Sequence, residues 1–317
     1  MTTISHHYAE VNGIRFHYAS AGTGKLVLFL HGFPTFWYDW KDQLLDLGRD
    51  HHAVAPDMRG YNLSFRPVEV DQYRLQHLIA DVRGLSRHLG QEKFILVGHD
   101  FGGLIAWIFA AYHPECVEKL VILNAPNPAV FERELRENPA QQLACGYMKL
   151  FSQPGKAEQE LSQNNFAWLS RVVLEQGIAQ GYRTEEDRKE YMATWSQPGA
   201  LTAGLNYYRA NNLCPAPQNG GSWSALEQMP ELSSLVVTAP TLVLWGLKDK
   251  GLLAGNLSGL KRVVANLRVE LFTDVGHWIA QAKAREVNAH IRDFIGNNSS
   301  SPVGWSGGAS DWGWGGL

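Results

Sequence analysis

The chain has 317 residues, of which 45% are hydrophobic and 19% are charged. This composition suits one large soluble domain with an inserted lobe, or two domains. The formal net charge of −3 gives no reason to expect nucleic acid or an anionic membrane as a partner. The three cysteines, Cys116, Cys145 and Cys214, lie far apart without metal-ligand spacing, which favours a reducing compartment such as the cytoplasm. The N-terminus lacks the pattern of a secretion signal, and no apolar run approaches the roughly 20 residues of a membrane span.

Strand and helix patterns alternate over the first 125 residues. Two short apolar runs, at residues 8–11 and 14–19, are joined by Asn12-Gly13, a dipeptide typical of a tight hairpin, so we expect the sheet to begin antiparallel. Later apolar runs predict further strands and helices: strands at residues 26–30, 53–57, 94–97 and 120–123, and helices at residues 75–89 and 104–111. Such alternation predicts a mainly parallel sheet with helices on both faces.

Strand patterns disappear between residues 125 and 234. Helices are predicted at residues 130–137, 139–151 and 200–209, and from Thr184 onward, with a Gly- and Pro-rich loop at residues 215–229. Strand patterns return at residues 241–245 and 268–272. The simplest division is an α/β core made of residues 1–125 and 235–296, a helical cap at residues 126–234, and a disordered Gly- and Trp-rich tail at residues 297–317.

A sharp turn is predicted between the apolar run at residues 94–97 and the helix that follows it. The turn reads GHDFGG over residues 98–103. This layout resembles the nucleophile elbow of the α/β-hydrolase fold, G-x-nucleophile-x-G, with Asp100 at the nucleophile position. A carboxylate is ionised at neutral pH and needs no base to activate it, so it suits attack on a saturated carbon. The elbow therefore favours epoxide or carbon–halogen cleavage over ester cleavage, for which a serine would be expected.

An acid and a histidine follow the elbow in the order that this fold uses. Asp249 comes directly after the predicted strand at residues 241–245, and His277 comes after the strand at residues 268–272. In open α/β sheets, ligand-binding and active sites lie at the carboxyl ends of the parallel strands. In this interpretation Asp100 forms an alkyl ester, His277 activates the water that hydrolyses it, and Asp249 orients the histidine. The backbone N–H groups of Phe33 and Phe101 are the expected donors to the oxyanion that develops on the ester.

Three core motifs and two cap motifs together resemble the epoxide hydrolases of the α/β-hydrolase fold. The core motifs are HGFP at residues 31–34, DMRGY at residues 57–61 and GHDFGG; the cap motifs are FSQPG at residues 151–155 and SQPGA at residues 196–200. The resemblance covers residues 8–295. It implies a soluble enzyme that needs no cofactor and no metal, and that hydrolyses a small, apolar epoxide to a vicinal diol.

The resemblance also implies two cap tyrosines that hold and protonate the epoxide oxygen. By their motifs these are Tyr147, upstream of FSQPG, and Tyr208, which precedes Arg209 in the further cap motif LNYYR at residues 205–209. Tyr207 competes with Tyr208 because neighbours on a helix face different ways. One departure is Phe101, where the family usually carries tryptophan after the nucleophile. Because a dehalogenase uses that indole N–H to hold halide, Phe101 favours epoxide as the substrate. A haloalkane or haloacid dehalogenase and a non-catalytic receptor of the same fold remain the alternatives.

Overall fold

An eight-stranded sheet forms the centre of the computed structural model, which describes residues 2–213 and 236–296. The strands follow the chain as β1 (Ser5–Val11), β2 (Ile14–Ala21), β3 (Leu26–Leu30), β4 (His52–Pro56), β5 (Phe94–His99), β6 (Val117–Leu123), β7 (Thr241–Gly246) and β8 (Leu267–Phe272). Their spatial order is β1-β2-β4-β3-β5-β6-β7-β8. The pairings β1–β2 and β2–β4 are antiparallel, and all later pairings are parallel. The predicted mainly parallel sheet with an antiparallel start is confirmed.

The hairpin between β1 and β2 forms at the predicted dipeptide. Asn12 has φ 52° and Gly13 has φ 73°, so both turn residues adopt the left-handed conformation that a two-residue type I′ turn requires. Asparagine and glycine tolerate this conformation better than other residues. The turn fixes the register, in which Val11 pairs with Ile14 and Ser5 with Ser20.

Helices cover both faces of the sheet because the central strands are apolar on both sides. In β3, Leu26, Leu28 and Leu30 belong to the core that packs against α2 (Leu75–His88) and α3 (Phe101–Tyr112). The alternate residues Val27 and Phe29 belong to the second core, with α1 (Lys41–Leu47), α11 (Ile279–Ala282) and α12 (Ala284–Gly296). Side chains alternate between the faces of a strand, so one continuous apolar run supplies both cores.

A helical insertion, defined here as α4 to α10, lies between β6 and β7. Its helices are α4 (Pro128–Glu137), α5 (Pro139–Ala144), α6 (Tyr147–Phe151), α7 (Lys156–Ser170), α8 (Gln176–Gln180), α9 (Glu185–Trp195) and α10 (Ala200–Ala210). Thr184 caps α9 as predicted, by accepting a hydrogen bond from the backbone N–H of Asp187. No strand occurs in residues 125–213. The predicted loop at residues 215–229 and the predicted tail lie outside the described residues.

Two features of the insertion differ from the sequence prediction. The single helix predicted over residues 139–151 is wrong: α5 ends before Cys145, and α6 starts anew at Tyr147. Only Gly146 marks this break in the sequence, and a single glycine is tolerated within helical patterns, so the prediction joined the two helices. α7 carried no prediction, and its helix is interrupted at residues 163–166, where Asn164, Asn165 and Phe166 have positive φ.

The insertion is fixed to the sheet by hydrogen bonds between the two layers. The indole N–H of Trp195 donates to the carbonyl of Pro34 at 2.7 Å, and that of Trp278 donates to the carbonyl of Val172 at 2.7 Å. Pro34 follows β3, and Trp278 follows β8, so the insertion lies over the carboxyl edge of the sheet. Within residues 2–213 and 236–296, no helix has both the length and the apolar character needed to cross a membrane.

Candidate active site

The turn between β5 and α3 holds Asp100 in a conformation that few residues adopt. Asp100 has φ 53° and ψ −125°, and such strained positions are typical of functional sites. The turn is tight: a Cβ atom on Gly102 would lie 2.2 Å from the carbonyl oxygen of Leu30. Glycine at position 102 is therefore a steric requirement. The turn presents the Asp100 side chain, 14% exposed, at the carboxyl edge of the sheet.

Two backbone N–H groups point at the Asp100 carboxylate. The N–H of Phe33, in the loop after β3, donates to Oδ1 at 3.0 Å, and the N–H of Phe101 also donates to this carboxylate. Burial raises the pKa of Asp100, while His277 and these two donors act to lower it. The predicted oxyanion donors thus lie beside the carboxylate of the predicted nucleophile. The same N–H groups could stabilise negative charge that develops on an ester at this position.

His277 lies between two carboxylates. Its Nδ1 is 2.7 Å from Asp249 Oδ2, and its Nε2 is 3.5 Å from Asp100 Oδ2. Burial by itself would lower the pKa of His277, but Asp249 and Asp100 raise it to about 9. The bond to Asp249 fixes the ring so that Nε2 faces Asp100. Asp249, His277 and Asp100, predicted from three separate strand ends, therefore lie next to one another in that order.

Asp249 is held by four donors, of which the sequence predicted only His277. The backbone N–H groups of Gly251 and Leu252 donate to Oδ1 at 2.9 and 3.0 Å. Oδ2 accepts a hydrogen bond from His277 Nδ1 and a second one, of 2.8 Å, from the side-chain amide of Asn124. Burial opposes the charge of Asp249, but His277 and the N–H donors bring its pKa below the ordinary value. The carboxylate is ionised and oriented.

Asn124 comes from the end of β6, the strand next to β7. It is completely buried, with φ 35°, and its Oδ1 accepts a hydrogen bond from the N–H of Gly246 at 2.8 Å. Asn124 therefore connects the ends of two neighbouring strands and positions Asp249 between them. A lone asparagine after a strand belongs to none of the motifs singled out in the sequence, so its contact with Asp249 is visible only in three dimensions.

His99, next to Asp100, supports the loop that carries His277. Its Nε2–H donates to the backbone carbonyl of His277 at 3.0 Å, and the two rings lie 4.5 Å apart. Burial lowers the pKa of His99 to about 3, so this ring is neutral throughout the physiological range. A neutral donor to a backbone carbonyl has a structural role.

The insertion brings two tyrosines over the Asp100 carboxylate. Tyr147 begins α6 and Tyr208 lies in α10, where its ring is 5.5 Å from that of Phe101. Burial raises the pKa of both phenols well above the ordinary range, and the negative charge of Asp100 raises it further. Both groups are therefore protonated at neutral pH and lie close enough to Asp100 to be influenced by its charge.

Tyr207 faces a different environment from its neighbour. Its hydroxyl donates to the backbone carbonyl of Arg59 at 2.8 Å. Its ring also contacts that of Phe101, at 5.0 Å. Burial raises the pKa of Tyr207, and the next largest influences come from Tyr61 and Tyr73, whereas those on Tyr208 come first from Asp100. The geometry thus separates the two adjacent tyrosines: Tyr207 bridges the insertion to the loop after β4, and Tyr208 faces the site.

Comparison with known proteins gives consistent matches over most of the chain. The sequence model of the alpha/beta hydrolase fold family matches residues 25–281. "Epoxide hydrolase 4" of Mus musculus is 36% identical over 300 residues, covering 92% of this chain and 79% of that protein. The "AB hydrolase superfamily protein YfhM" of Bacillus subtilis is also 36% identical, covering 92% and 97% of the two chains.

Solved structures give the same result. A point mutant of an epoxide hydrolase from Bacillus megaterium, in complex with its diol product, superposes with a TM-score of 0.84 at 36% identity. That match covers 92% of this chain and 100% of the other. The epoxide hydrolase VrEH1 from Vigna radiata superposes with a TM-score of 0.77 at 31% identity, covering 92% and 98%.

Proposed function

The chain belongs to the epoxide hydrolases of the α/β-hydrolase fold, and from that membership we propose that it hydrolyses an apolar epoxide to a vicinal diol through a covalent ester on Asp100. One observation carries the proposal. The Asp100 carboxylate accepts from two backbone N–H donors, while its Oδ2 faces a histidine held by a second carboxylate. A carboxylate so placed can attack carbon and then be released by water.

In the first step, Asp100 Oδ2 forms a bond to one epoxide carbon as the ring C–O bond breaks. The bond electrons pass to the epoxide oxygen, and a phenol proton from Tyr147 or Tyr208 neutralises it. Both phenols are protonated at neutral pH because burial raises their pKa. The product of this step is an alkyl ester on Asp100 and a tyrosinate in the insertion.

Ester formation also changes the state of the histidine. The free enzyme has two carboxylates beside His277, whose pKa is raised to about 9, so the ring is an imidazolium at neutral pH. An ester on Asp100 is neutral, so the pKa of His277 falls. The proton that the imidazolium then loses restores the tyrosinate to a phenol. The first step therefore prepares the base that the second step needs.

In the second step, neutral His277 takes a proton from a water molecule that attacks the ester carbonyl carbon. The carbonyl oxygen, Oδ1, becomes an oxyanion, and the N–H groups of Phe33 and Phe101 stabilise it. Collapse of this intermediate breaks the bond between Cγ and Oδ2. Oδ2 takes the remaining proton of the added water and leaves as part of the diol, so the Asp100 carboxylate and the imidazolium are regenerated. Every proton and electron pair is accounted for by these side chains and water, so the proposal assigns no role to a metal or a cofactor.

The ring-lined surroundings of Asp100 favour a small, apolar substrate. The ring of Tyr208 lies 5.1 to 5.9 Å from the rings of Phe33, Phe101 and Phe151, and Phe33 lies 5.3 Å from Phe151. Apolar walls with a few convergent polar groups are typical of small-molecule sites. A dehalogenase would need halide donors at positions 33 and 101, where phenyl rings stand. We further propose residues 126–234 as the cap that supplies the phenols, and the cytoplasm as the location.

Isotope labelling tests the covalent step directly. The enzyme, in excess over styrene oxide, is allowed one turnover in water enriched in oxygen-18, and the peptide containing Asp100 is then analysed by mass spectrometry. We expect one heavy oxygen in Asp100 and an unlabelled diol, because water attacks the ester carbonyl. The peptide containing Asp249 is the internal control and stays unlabelled.

A labelled diol with an unlabelled Asp100 would mean direct attack by water, and would overturn the covalent proposal. A parallel assay with 1-bromobutane separates the two chemistries. Bromide release without any diol from styrene oxide would favour the dehalogenase. The Asp100→Asn variant should form neither product at a measurable rate.

A further inference from the structure

Phe151, the last residue of α6, contacts the residues that carry both proposed proton donors. Its side chain is 2% exposed. Its ring lies 5.1 Å from the ring of Tyr147 and 5.1 Å from that of Tyr208, in edge-to-face arrangements. It also lies 5.3 Å from the ring of Phe33, whose N–H donates to Asp100. Edge-to-face contacts have a preferred geometry, so they constrain ring positions as well as burying area.

The two tyrosines belong to different helices, and Phe151 reaches both from one position. Tyr147 and Phe151 are four residues apart on α6, so their side chains lie on the same face. Tyr208 lies on α10, which meets α6 at this ring. A single phenyl group therefore packs against a phenol of one helix and a phenol of another.

The backbone of Phe151 is fixed to α10 as well. Nε of Arg209, the residue after Tyr208, donates to the carbonyl of Phe151 at 3.1 Å. The two terminal nitrogens of Arg209 bind the carboxylate oxygens of Glu158 at 2.7 and 2.9 Å, and the arginine side chain is 7% exposed. A bidentate pair of this kind holds both partners in one orientation. Main chain and side chain of Phe151 thus connect α6 to α10 at the same point.

We propose that Phe151 is a positioning residue for epoxide opening: its ring holds the phenols of Tyr147 and Tyr208 at the separation that one epoxide oxygen requires. The inference rests on the proposed function, in which these phenols protonate that oxygen. Proton donation is sensitive to placement, and a displacement of about 1 Å can cost a factor of roughly 100 in rate. Ester hydrolysis depends instead on Asp249 and His277, which follow β7 and β8, and on the backbone N–H groups of Phe33 and Phe101. Phe151 contacts Phe33 through its side chain only. The two chemical steps should therefore respond differently to a change at Phe151.

The test is a Phe151→Leu variant, with the two steps measured separately. Enzyme in excess over styrene oxide is quenched with acid at successive times, and the ester on the protein is followed by mass spectrometry. We expect ester formation to be slower by roughly 10- to 100-fold, and ester decay to change by less than about twofold. Phe94→Leu is the matched control, since Phe94 is also a fully buried phenylalanine but lies at the far end of β5. Both of its rates should stay unchanged.

A double-mutant cycle with Tyr147→Phe separates positioning from general packing. When the Tyr147 hydroxyl is already absent, Phe151→Leu should slow ester formation less than it does in the parent, because one of the two hydroxyls that the ring positions is gone. Arg209→Lys is a second variant that keeps the ring and the charge but loses the Nε donor to Phe151. It should slow ester formation by several-fold, and it serves if Phe151→Leu does not fold.

The outcomes distinguish failure of this inference from failure of the proposed function. If the parent forms no ester on Asp100, the proposed function itself is wrong. If the ester forms and Tyr147→Phe and Tyr208→Phe form it at the parent rate, the phenols are not proton donors, so this inference is wrong while the covalent step stands. If those variants are slow but Phe151→Leu is not, only the positioning role is wrong. Equal slowing of both steps in Phe151→Leu would show a general structural effect and would also overturn it.

Discussion

Removal of the Asp100 charge should lower the pKa of His277, and this prediction tests the electrostatic basis of the proposed mechanism. The Asp100→Asn variant keeps the size of the side chain but has no negative charge beside Nε2. Ester formation removes the same charge during the reaction. The variant therefore imitates the electrostatic change that converts His277 from an imidazolium into a base.

The magnitude follows from the distance between the two side chains. Asp100 Oδ2 lies 3.5 Å from His277 Nε2, and at an effective dielectric constant of about 20 Coulomb's law gives about 5 kcal/mol, or about 3.5 pH units, as an upper bound. Two N–H donors partly neutralise the charge of Asp100, and solvent screens it because the side chains of Asp100 and His277 are 14% and 19% exposed. We therefore expect a fall of about 1 to 3 units from the value of about 9 in the parent.

The assay is a titration of the histidine ring signals by NMR in the parent and the variant. The chain has 12 histidines, so the His277 signal is assigned by its loss in His277→Gln. Asp274→Asn is the control, because Asp274 is a mostly exposed carboxylate, paired with Lys283, only three residues before His277. If Asp100→Asn shifts the pKa of His277 no more than Asp274→Asn does, the proposed coupling between ester formation and the histidine is refuted.

Three further predictions concern stability and the support of the site. Asn124→Ala should lower the free energy of unfolding by about 1–3 kcal/mol and reduce kcat, because Asp249 loses a hydrogen-bond donor. Denaturant unfolding and steady-state kinetics measure the two effects, and an unchanged kcat would contradict the positioning role of Asn124. The pKa of His277 is raised from 6.5 to about 9, so its protonation contributes roughly 3 kcal/mol to the free energy of unfolding below pH 6.5, and this contribution is lost as the pH rises to 9. Thermal denaturation should therefore show the parent losing stability over this range more steeply than His277→Gln. Equal slopes for the two proteins would disprove this contribution. Gly102→Ala should lower the free energy of unfolding by about 3 kcal/mol or more through overpacking. Gly296→Ala is the control, because the space around its Cβ position is open, and it should unfold like the parent. Equal denaturation midpoints for the two variants would contradict the steric requirement at position 102.

The strands of the sheet were predictable because buried parallel strands are nearly continuous apolar runs. The run at residues 26–30 corresponds to β3 without any shift in its ends. The β5 prediction stopped two residues early, at Val97 instead of His99, because Gly98 and His99 interrupt the apolar pattern while still pairing with β6. Ends of elements are decided by pairing with neighbours, and a single sequence does not contain that information.

The helical insertion was less predictable than the sheet. Its helices are short and partly buried against one another, so their apolar positions follow tertiary contacts as well as a helical period. The break between α5 and α6 decides where Tyr147 stands. The sequence marks that break only by Gly146, and a single glycine within a helical pattern is a weak signal.

The order and chemical types of the groups at the strand ends were determined by the sequence alone. An ionisable carboxylate within a glycine-rich turn, followed by an acid and a histidine after later strands, already restricted the chemistry to attack on carbon and hydrolysis by water. Tertiary structure alone decided which tyrosine faces Asp100 and that Asn124 supports Asp249. The reason is geometric: adjacent residues on a helix point about 100° apart, and only packing of α10 against the sheet selects which of them meets the site.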